Sequence, residues 1–169
     1  MKVLHALLKL RDIIEKYLLI IVGILMCTIA CLIGLQIVLR TIGIGIDWTE
    51  EFARFSFTSL AFLGSVIAIT KNRHIVIDFL IVLFPDIVRR WFLVVIHFLM
   101  AGFMVICIKG LSIIISAASG VPSNSVSWFM LSYIYMVVLV GCILMCYVSI
   151  LRALEFAVLK KELPPPQGT

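Results

Sequence analysis

Four long apolar stretches constrain the fold of this chain more than any other feature of its sequence. Residues 17–39, 55–70 and 126–151 carry no charged side chain. The remaining stretch, residues 91–108, is also uncharged and is interrupted only by His97. A helix needs about 20 residues to cross the hydrocarbon core of a bilayer, so each stretch, with its immediate neighbours, is long enough to span a membrane.

The composition agrees with lipid as the solvent for most of the chain. Hydrophobic residues make up 63% of the sequence, compared with about 45–50% in an ordinary soluble domain. We therefore predict an all-α membrane protein whose four transmembrane helices occupy about 17–39, 48–70, 87–117 and 125–152. The net charge of +5 does not indicate nucleic acid as a partner, because the basic residues are divided among the helix ends.

The basic residues also predict the orientation of the chain in the membrane, because cytoplasmic loops carry an excess of lysine and arginine. Basic side chains lie before the first span, between the second and third spans and after the fourth: Lys2, Lys9, Arg11, Lys16, Lys71, Arg73, Arg89, Arg90, Arg152, Lys160 and Lys161. The opposite side has Arg40 and Arg54 together with three acids. We expect a multi-pass protein of the bacterial inner membrane with both termini in the cytoplasm.

Two further segments are predicted to lie along the membrane surface. In residues 1–16, leucines and an isoleucine fall at helical spacing while most charged side chains take the other side, which is typical of an amphipathic interfacial helix. A frayed cytoplasmic tail is the alternative. Residues 75–84 are too few to cross and contain Asp78, so we predict a short cytoplasmic interfacial helix that ends at Pro85. Residues 153–169 are predicted as a cytoplasmic tail.

Charged residues stand at the start of the second span, and we call them the outer charged cluster: Asp47, Glu50, Glu51 and Arg54. In a helix that begins near Trp48, Arg54 neighbours two carboxylates on the helix surface. It follows Glu50 by four residues and Glu51 by three. Ionisable groups inside a bilayer are costly and usually have partners. Two interpretations remain open: an internal ion pair that lets the helix enter lipid, or a docking site for a partner subunit.

Lys109 is predicted to lie at the same membrane level as this cluster. From Arg90 to Lys109 is nineteen residues, or about 28 Å of helix, close to the hydrocarbon thickness. From Glu50 to Lys71 the same rise gives about 32 Å. If Arg90 and Lys71 lie at the inner membrane surface, Lys109 and Glu50 both lie at the outer surface. We therefore expect Lys109 to lie near Glu50 or Glu51, or to contact an acid of another chain.

The sequence offers little that indicates redox chemistry, metal binding or catalysis. A haem ligand or proton relay at His97 needs a second group, and no other histidine falls within a span, so we interpret His97 as a hydrogen-bonded or interfacial side chain. No C-x-x-C occurs, and we expect the cysteines of the spans to be small packing residues: Cys27, Cys31, Cys107, Cys142 and Cys146. We expect no cofactor, no metal and no enzymatic activity.

Two short motifs and the overall pattern resemble the small membrane subunit of the tripartite ATP-independent periplasmic (TRAP) transporters. Residues 48–54, Trp-Thr-Glu-Glu-Phe-Ala-Arg, resemble the W-[ST]-E-E-[LF]-A-R of that family, and Phe62-Leu63-Gly64 follows at the expected place. Residues 71–78, before Pro85, resemble its K-x-x-H-I-x-[VI]-D run. The loop at 121–124 departs from the family, because it lacks the usual Ala-Leu-x-Ile-Pro sequence.

The resemblance implies a function that the composition cannot. In this family a periplasmic substrate-binding protein captures an organic acid, such as sialic acid or a C4-dicarboxylate, and a large membrane subunit imports it, driven by sodium. The small subunit binds the large one as a non-catalytic scaffold. We therefore expect the large subunit, the binding protein and membrane lipids as partners. We select Trp48, Glu50, Glu51, Arg54 and Lys109 as partner-facing or helix-organising residues, and His74 and Asp78 as residues that hold the short cytoplasmic helix.

Two other functions remain open at this point. A haem- or quinone-linked membrane anchor of a redox enzyme would also be a small four-span protein, and a haem band in the absorption spectrum would favour it. A self-sufficient small transporter would transport its substrate in liposomes without a partner. The first span offers no carboxylate for proton coupling, which argues against a small multidrug exporter.

Overall fold

The structure, a computed structural model, describes residues 2–71, 86–123 and 129–158. This part of the chain forms four long helices: α1 Lys2–Thr41, α2 Asp47–Thr70, α3 Asp86–Ala117 and α4 Ser132–Val158. Each helix is long and apolar enough to cross a membrane. The prediction of an all-α protein with four spanning helices is confirmed, and the chain is a multi-pass membrane protein.

The first helix is longer than the sequence pattern indicates. α1 continues without a break through residues 16 and 17, so residues 2–16 are helical but do not form a separate element. Its 40 residues correspond to about 60 Å, roughly twice the hydrocarbon thickness. No glycine or proline occurs in residues 2–22, so the backbone has no reason to end a helix near residue 16. The position of residues 2–16 relative to the lipid surface stays a prediction.

The boundaries of the fourth helix also differ from the prediction. α4 begins at Ser132 rather than near residue 125, because the chain before it reverses direction and Pro122 pairs with Met130 in an isolated β-bridge. α4 then continues to Val158, past the predicted start of the tail at residue 153. Its last turns pack against the bundle, as the buried side chain of Phe156 shows, and this packing favours a helical backbone there.

Some predictions concern residues outside the described part of the chain. The short interfacial helix at 75–84 falls there, together with His74 and Asp78. The final residues, 159–169, fall there as well. These predictions keep their status as predictions.

The helices pack in the spatial order α1, α2, α4, α3. α2 lies between α1 and α4, and α4 lies between α2 and α3, whereas the direct contact between α1 and α4 is small. One buried apolar cluster joins α1, α2 and α4: Leu18, Leu63, Val66, Ile69, Val138, Cys142, Met145 and Val148. Lipid is as apolar as these side chains, so the cluster stabilises the bundle mainly through close packing.

α2 and α4 approach closely at Gly141. A Cβ atom at this position would lie 3.0 Å from the Cβ of Phe62, closer than carbon atoms normally pack, so any larger residue would press the two helices apart. One residue further, Cys142 is buried, and the thiol of Cys146 lies 3.8 Å from the carbonyl oxygen of Ala101 on α3. The cysteines of α4 thus serve as small packing residues, as the sequence predicts, while those of α1 are exposed.

Candidate functional site

The outer charged cluster occupies the first two turns of α2. The helix begins at Asp47 after an extended Ile46, and Asp47 and Glu50 fall in its first turn, where the helix dipole favours negative groups. The hydroxyl of Thr49 is fully buried and donates to the Ile46 carbonyl at 2.8 Å. These contacts fix the direction in which the helix enters the bundle.

Glu50 and Arg54 form an ion pair at the spacing that the sequence predicts. Arg54 Nη2 lies 3.5 Å from Glu50 Oε1, and the two side chains are 68% and 67% exposed. An exposed pair of this kind contributes about 0.3–0.5 kcal/mol to stability in water. The pair is therefore too weak to organise the fold by itself, and both groups stay accessible to a second molecule.

Glu51 points the other way, into the bundle. Only 9% of this residue is exposed, and Ala53 nearby is buried as well. Consecutive residues of a helix lie about 100° apart around its axis, so neighbouring acids cannot share one environment. Of the two glutamates selected from the sequence, Glu50 is accessible to a partner and Glu51 is enclosed by the chain itself.

An aromatic cluster ties the start of α2 to the segment before α4. The ring of Phe129 lies 5.4 Å from that of Phe52, 5.5 Å from that of Phe55 and 5.6 Å from that of Tyr133, measured between centroids. Trp48 extends the cluster, since its ring meets Phe52 edge-on at 6.1 Å. Such pairs contribute about 0.5–1.5 kcal/mol each beyond the area they bury. The cluster therefore holds the outer charged cluster in place, a role of Phe129 that sequence reasoning missed.

One face of α2 remains open along most of its length. We call it the α2 stripe, and it consists of exposed residues spaced three or four apart: Glu50, Arg54, Phe57, Ala61 and Ser65. The charged pair stands at one end of this stripe, and small side chains stand at the other. Small residues allow two helices to approach closely within a membrane. The α2 stripe thus combines a charged anchor with a surface suited to a further helix.

Lys109 lies on α3, which packs against α4 rather than against α2. Its side chain is exposed, and the ion-pair partner that the described residues supply to Glu50 is Arg54. α4 lies between α2 and α3, so helices that end at the same membrane level are still separated sideways. Both parts of the prediction, a position near Glu50 or Glu51 and a contact with an acid of another chain, stay predictions.

A second charged group lies at the opposite end of the bundle, and the sequence pattern does not predict it. Glu155 of α4 is only 1% exposed and accepts from two arginines. Arg11 Nη1 lies 2.9 Å from its Oε1, and Arg152 Nη1 lies 2.7 Å from its Oε2. We call these three residues the inner ion-pair cluster, after the predicted orientation. Removing one member of a buried pair typically costs about 3–5 kcal/mol, so this cluster is a major contact of the fold.

Two further polar contacts join α1 to the same end of the bundle. The hydroxyl of Tyr147 donates to the Leu7 carbonyl at 3.1 Å. Lys71, directly after α2, lies 3.8 Å from Glu15. These contacts tie the first turns of α1 to α2 and α4. They give a physical reason why residues 2–16 continue the first helix rather than leave it.

Sequence reasoning missed the inner ion-pair cluster for an identifiable reason. In the sequence, Arg11 and Arg152 indicate only the orientation of the chain, and Glu155 alone carries no further signal. The spacing of Arg152 and Glu155, three residues apart in a helix, is a signal for one of the two ion pairs. The contact with Arg11 spans 144 positions, and nothing in a single sequence indicates it.

The start of α3 is fixed to the end of α4 by Arg90. Its Nε donates to the carbonyl oxygen of Phe156, one of the last carbonyls of α4, an interaction that suits the negative end of a helix. About two turns further on, His97 is buried, with Nδ1 2.8 Å from the Leu93 carbonyl and its ring 5.8 Å from that of Phe156. His97 thus occupies a packed, hydrogen-bonded position, in agreement with its interpretation from sequence.

Comparison with known families identifies the chain. A family model described as "Tripartite ATP-independent periplasmic transporters, DctQ component" matches residues 29–158, which include the C-terminal part of α1 and all of α2, α3 and α4. No match is found among the curated proteins compared with the chain. This family is a component of transporters, so the redox-enzyme anchor does not hold as an alternative, and the chain is not an enzyme. The chain belongs to the DctQ family, the small membrane component of the TRAP transporters.

Proposed function

We propose that this TRAP component is a scaffold that stabilises and anchors the large membrane subunit of its transporter. The complex, in this proposal, imports an organic acid such as sialic acid or a C4-dicarboxylate by coupling to sodium. A periplasmic binding protein delivers the substrate. The chain lies in the bacterial inner membrane with both termini in the cytoplasm, in agreement with the distribution of its basic residues.

The unequal burial of the helices supports a role that depends on a partner. In its most apolar window, α4 has 50% of its residues buried within the chain, whereas α1 has only 6%. α1 therefore has most of its surface available to lipid or to another protein. Because the rest of the chain covers so little of α1, this helix is suited to pack against a larger membrane protein.

The shape of the spanning helices also supports a non-catalytic role. Many secondary transporters bind their substrate at broken helices whose free backbone groups face a cavity. In the described residues, each of α1, α2, α3 and α4 is one unbroken helix. The chemistry of transport then falls to the large subunit, and this chain supplies a surface for it.

We assign the contact with the large subunit to the α2 stripe. Its charged end, Glu50 and Arg54, is exposed and held in place by the aromatic cluster at Trp48 and Phe129. In a low-dielectric interface the same pair would interact far more strongly than in water. The exposed Lys109 would contact an acid of the large subunit, while His74 and Asp78 would hold the short cytoplasmic helix.

Co-expression tests the proposal directly. The chain is produced with the large subunit of its transporter, and the two are purified through a tag on the large subunit and reconstituted with the binding protein. The proposal predicts co-purification and sodium-dependent uptake that is lost when this chain is omitted. Uptake by this chain alone would instead support a self-sufficient transporter, and normal uptake by the large subunit alone would contradict the scaffold role.

A further inference from the structure

Buried side chains attach the first helix to the bundle at only two places. Of the α1 side chains that the structure describes, from Leu7 to Thr41, Arg11 and Leu18 alone are buried. They stand about two turns apart and therefore lie on one face of the helix. From Leu18 to Thr41 the helix rises about 34 Å, and no described side chain beyond Leu18 on α1 is buried. Both attachments thus lie in the first half of α1.

The two attachments differ in how firmly they fix the direction of the helix. Leu18 belongs to the buried apolar cluster, with Ile14 and Val22 partly buried against it. Apolar packing is non-directional, and within a membrane it competes with lipid that is equally apolar, so it permits a change of tilt. Arg11 Nη1 instead donates to Glu155 Oε1 at 2.9 Å, and charge-assisted hydrogen bonds of this kind add geometric specificity. Leu18 is thus suited to act as a pivot, and Arg11 to set the angle.

Arg11 is bonded on two sides, but only one of its partners lies on another helix. Its Nε and Nη2 donate to Asp12 of α1 itself, whereas Nη1 reaches the buried glutamate of α4. The contacts that Leu7 and Glu15 make with the rest of the bundle also precede Leu18 in the chain. The polar contacts that join α1 to its neighbours therefore all act on the short side of the pivot.

The outer end of α1 has slack in its connection to α2. Residues 42–46 join the two helices, and Ile42 and Ile44 are 66% and 51% exposed, so these side chains do not pack into the bundle. Gly43 adopts a positive φ of 80° directly after the helix. Five extended residues span up to about 17 Å. The loop therefore tolerates a sideways displacement of several Å at the end of α1.

We propose that α1 is a lever that pivots at Leu18 and whose outer end is positioned by the Arg11–Glu155 ion pair. The arm from Leu18 back to Arg11 measures about 10 Å, and the arm forward to Thr41 measures about 34 Å. A displacement at Arg11 is therefore magnified about threefold at the outer end. The lever couples the inner ion-pair cluster to the loop that leads into the outer charged cluster, so a change at one end of the bundle moves the other end.

Distance measurements between spin labels on the full chain in lipid nanodiscs test the proposal. The labels are attached through a noncanonical amino acid, because the chain has 5 cysteines of its own. The test pair joins Val38 on α1 to Ile113 on α3, and the reference pair joins Phe57 on α2 to the same position on α3. All three positions are exposed and lie in the outer half of their helices.

Arg11→Met removes the bond between the two helices but leaves Glu155 paired with Arg152, so no buried charge loses its last partner. A displacement of about 2 Å at residue 11 should move Val38 by about 6 Å. We therefore expect the distance of the test pair to shift or broaden by about that amount, while the reference pair stays unchanged. Arg11→Lys, which keeps the charge, and Asp12→Asn, which keeps the bond to α4, should both resemble the unchanged chain.

An unchanged test distance in Arg11→Met would overturn the proposal, because α1 would then be held along its whole length. An equal change in the reference pair would also overturn it, since the bundle as a whole would have loosened. If Arg11→Met fails to fold, Tyr147→Phe decides the question. This variant removes only the hydroxyl that donates to the Leu7 carbonyl, and it should shift the test pair by a smaller amount; no shift would refute the lever.

Discussion

Arg11 and Glu155 are 144 positions apart in the chain, yet their side chains meet at 2.9 Å in a buried ion pair between the first and last helices. Arg152 binds the other carboxylate oxygen of Glu155 at 2.7 Å. α1 and α4 share little other surface. A small number of polar contacts therefore determines how closely the start of α1 follows the bundle.

Replacing Glu155 with Gln should destabilise the chain by about 3–5 kcal/mol, because Arg11 and Arg152 would remain buried without a counter-charge. Thermal unfolding of the purified chain in detergent measures the change. Asp12→Asn is the matched control, since that carboxylate also contacts Arg11 but is 62% exposed, and its loss should cost under about 1 kcal/mol. Similar melting temperatures for the two variants would contradict the dominant role of Glu155.

Gly141→Leu should separate α2 from α4, because even a Cβ at this position would lie 3.0 Å from the Cβ of Phe62. Overpacking of this kind costs about 1–3 kcal/mol. Gly110→Leu on α3 provides the comparison, since a Cβ there has no neighbour within 4 Å. Thermal unfolding should therefore shift for the first variant and stay nearly unchanged for the second, and the reverse order would show that the close approach is not tight in solution.

Arg54→Ala should leave the stability of the isolated chain nearly unchanged but weaken its assembly with the large subunit. The Glu50–Arg54 pair is exposed and contributes well under 1 kcal/mol in water. In an interface it would be desolvated and matter more. Arg40→Ala, which removes an exposed cation outside the α2 stripe, is the control. Co-purification of Arg54→Ala at the level of the control would show that the α2 stripe is not part of the interface.

Phe129→Ala should loosen the outer end of the bundle. The substitution removes ring contacts with Phe52, Phe55 and Tyr133, each contributing about 0.5–1.5 kcal/mol. Hydrogen exchange of the backbone amides in the first turns of α2 should accelerate. Phe57→Ala removes a ring that is 62% exposed and should leave exchange in those turns unchanged; equal acceleration in both variants would argue against the aromatic cluster.

The sequence predicts those features of the fold that depend on local pattern. Uncharged stretches of spanning length identify four helices, and the spacing of Glu50 and Arg54 predicts their ion pair. Helix rise predicts a membrane level for Lys109, but it does not indicate which helix packs beside α3. The structure places α4 between α2 and α3, and that lateral order depends on long-range packing at positions such as Gly141.

The charges at the inner end show a different limit of sequence reasoning. Arginine near the end of a span is so common that Arg11 and Arg152 carry no specific signal beyond orientation. Only the fold shows that both converge on one buried carboxylate. The sequence likewise does not indicate that α1 continues through residue 16. An amphipathic segment is helical whether it lies along the membrane or continues a span.

The length of α1 has a geometric consequence for the area that the protein covers. A straight rod of 40 residues measures about 60 Å, whereas a bilayer with its headgroups is about 40–45 Å thick. If all of α1 remains within that layer, it must lean until its ends are displaced sideways by about 40 Å. A subunit of 169 residues would then extend far along the membrane plane. It would resist tilting of a large subunit bound to it.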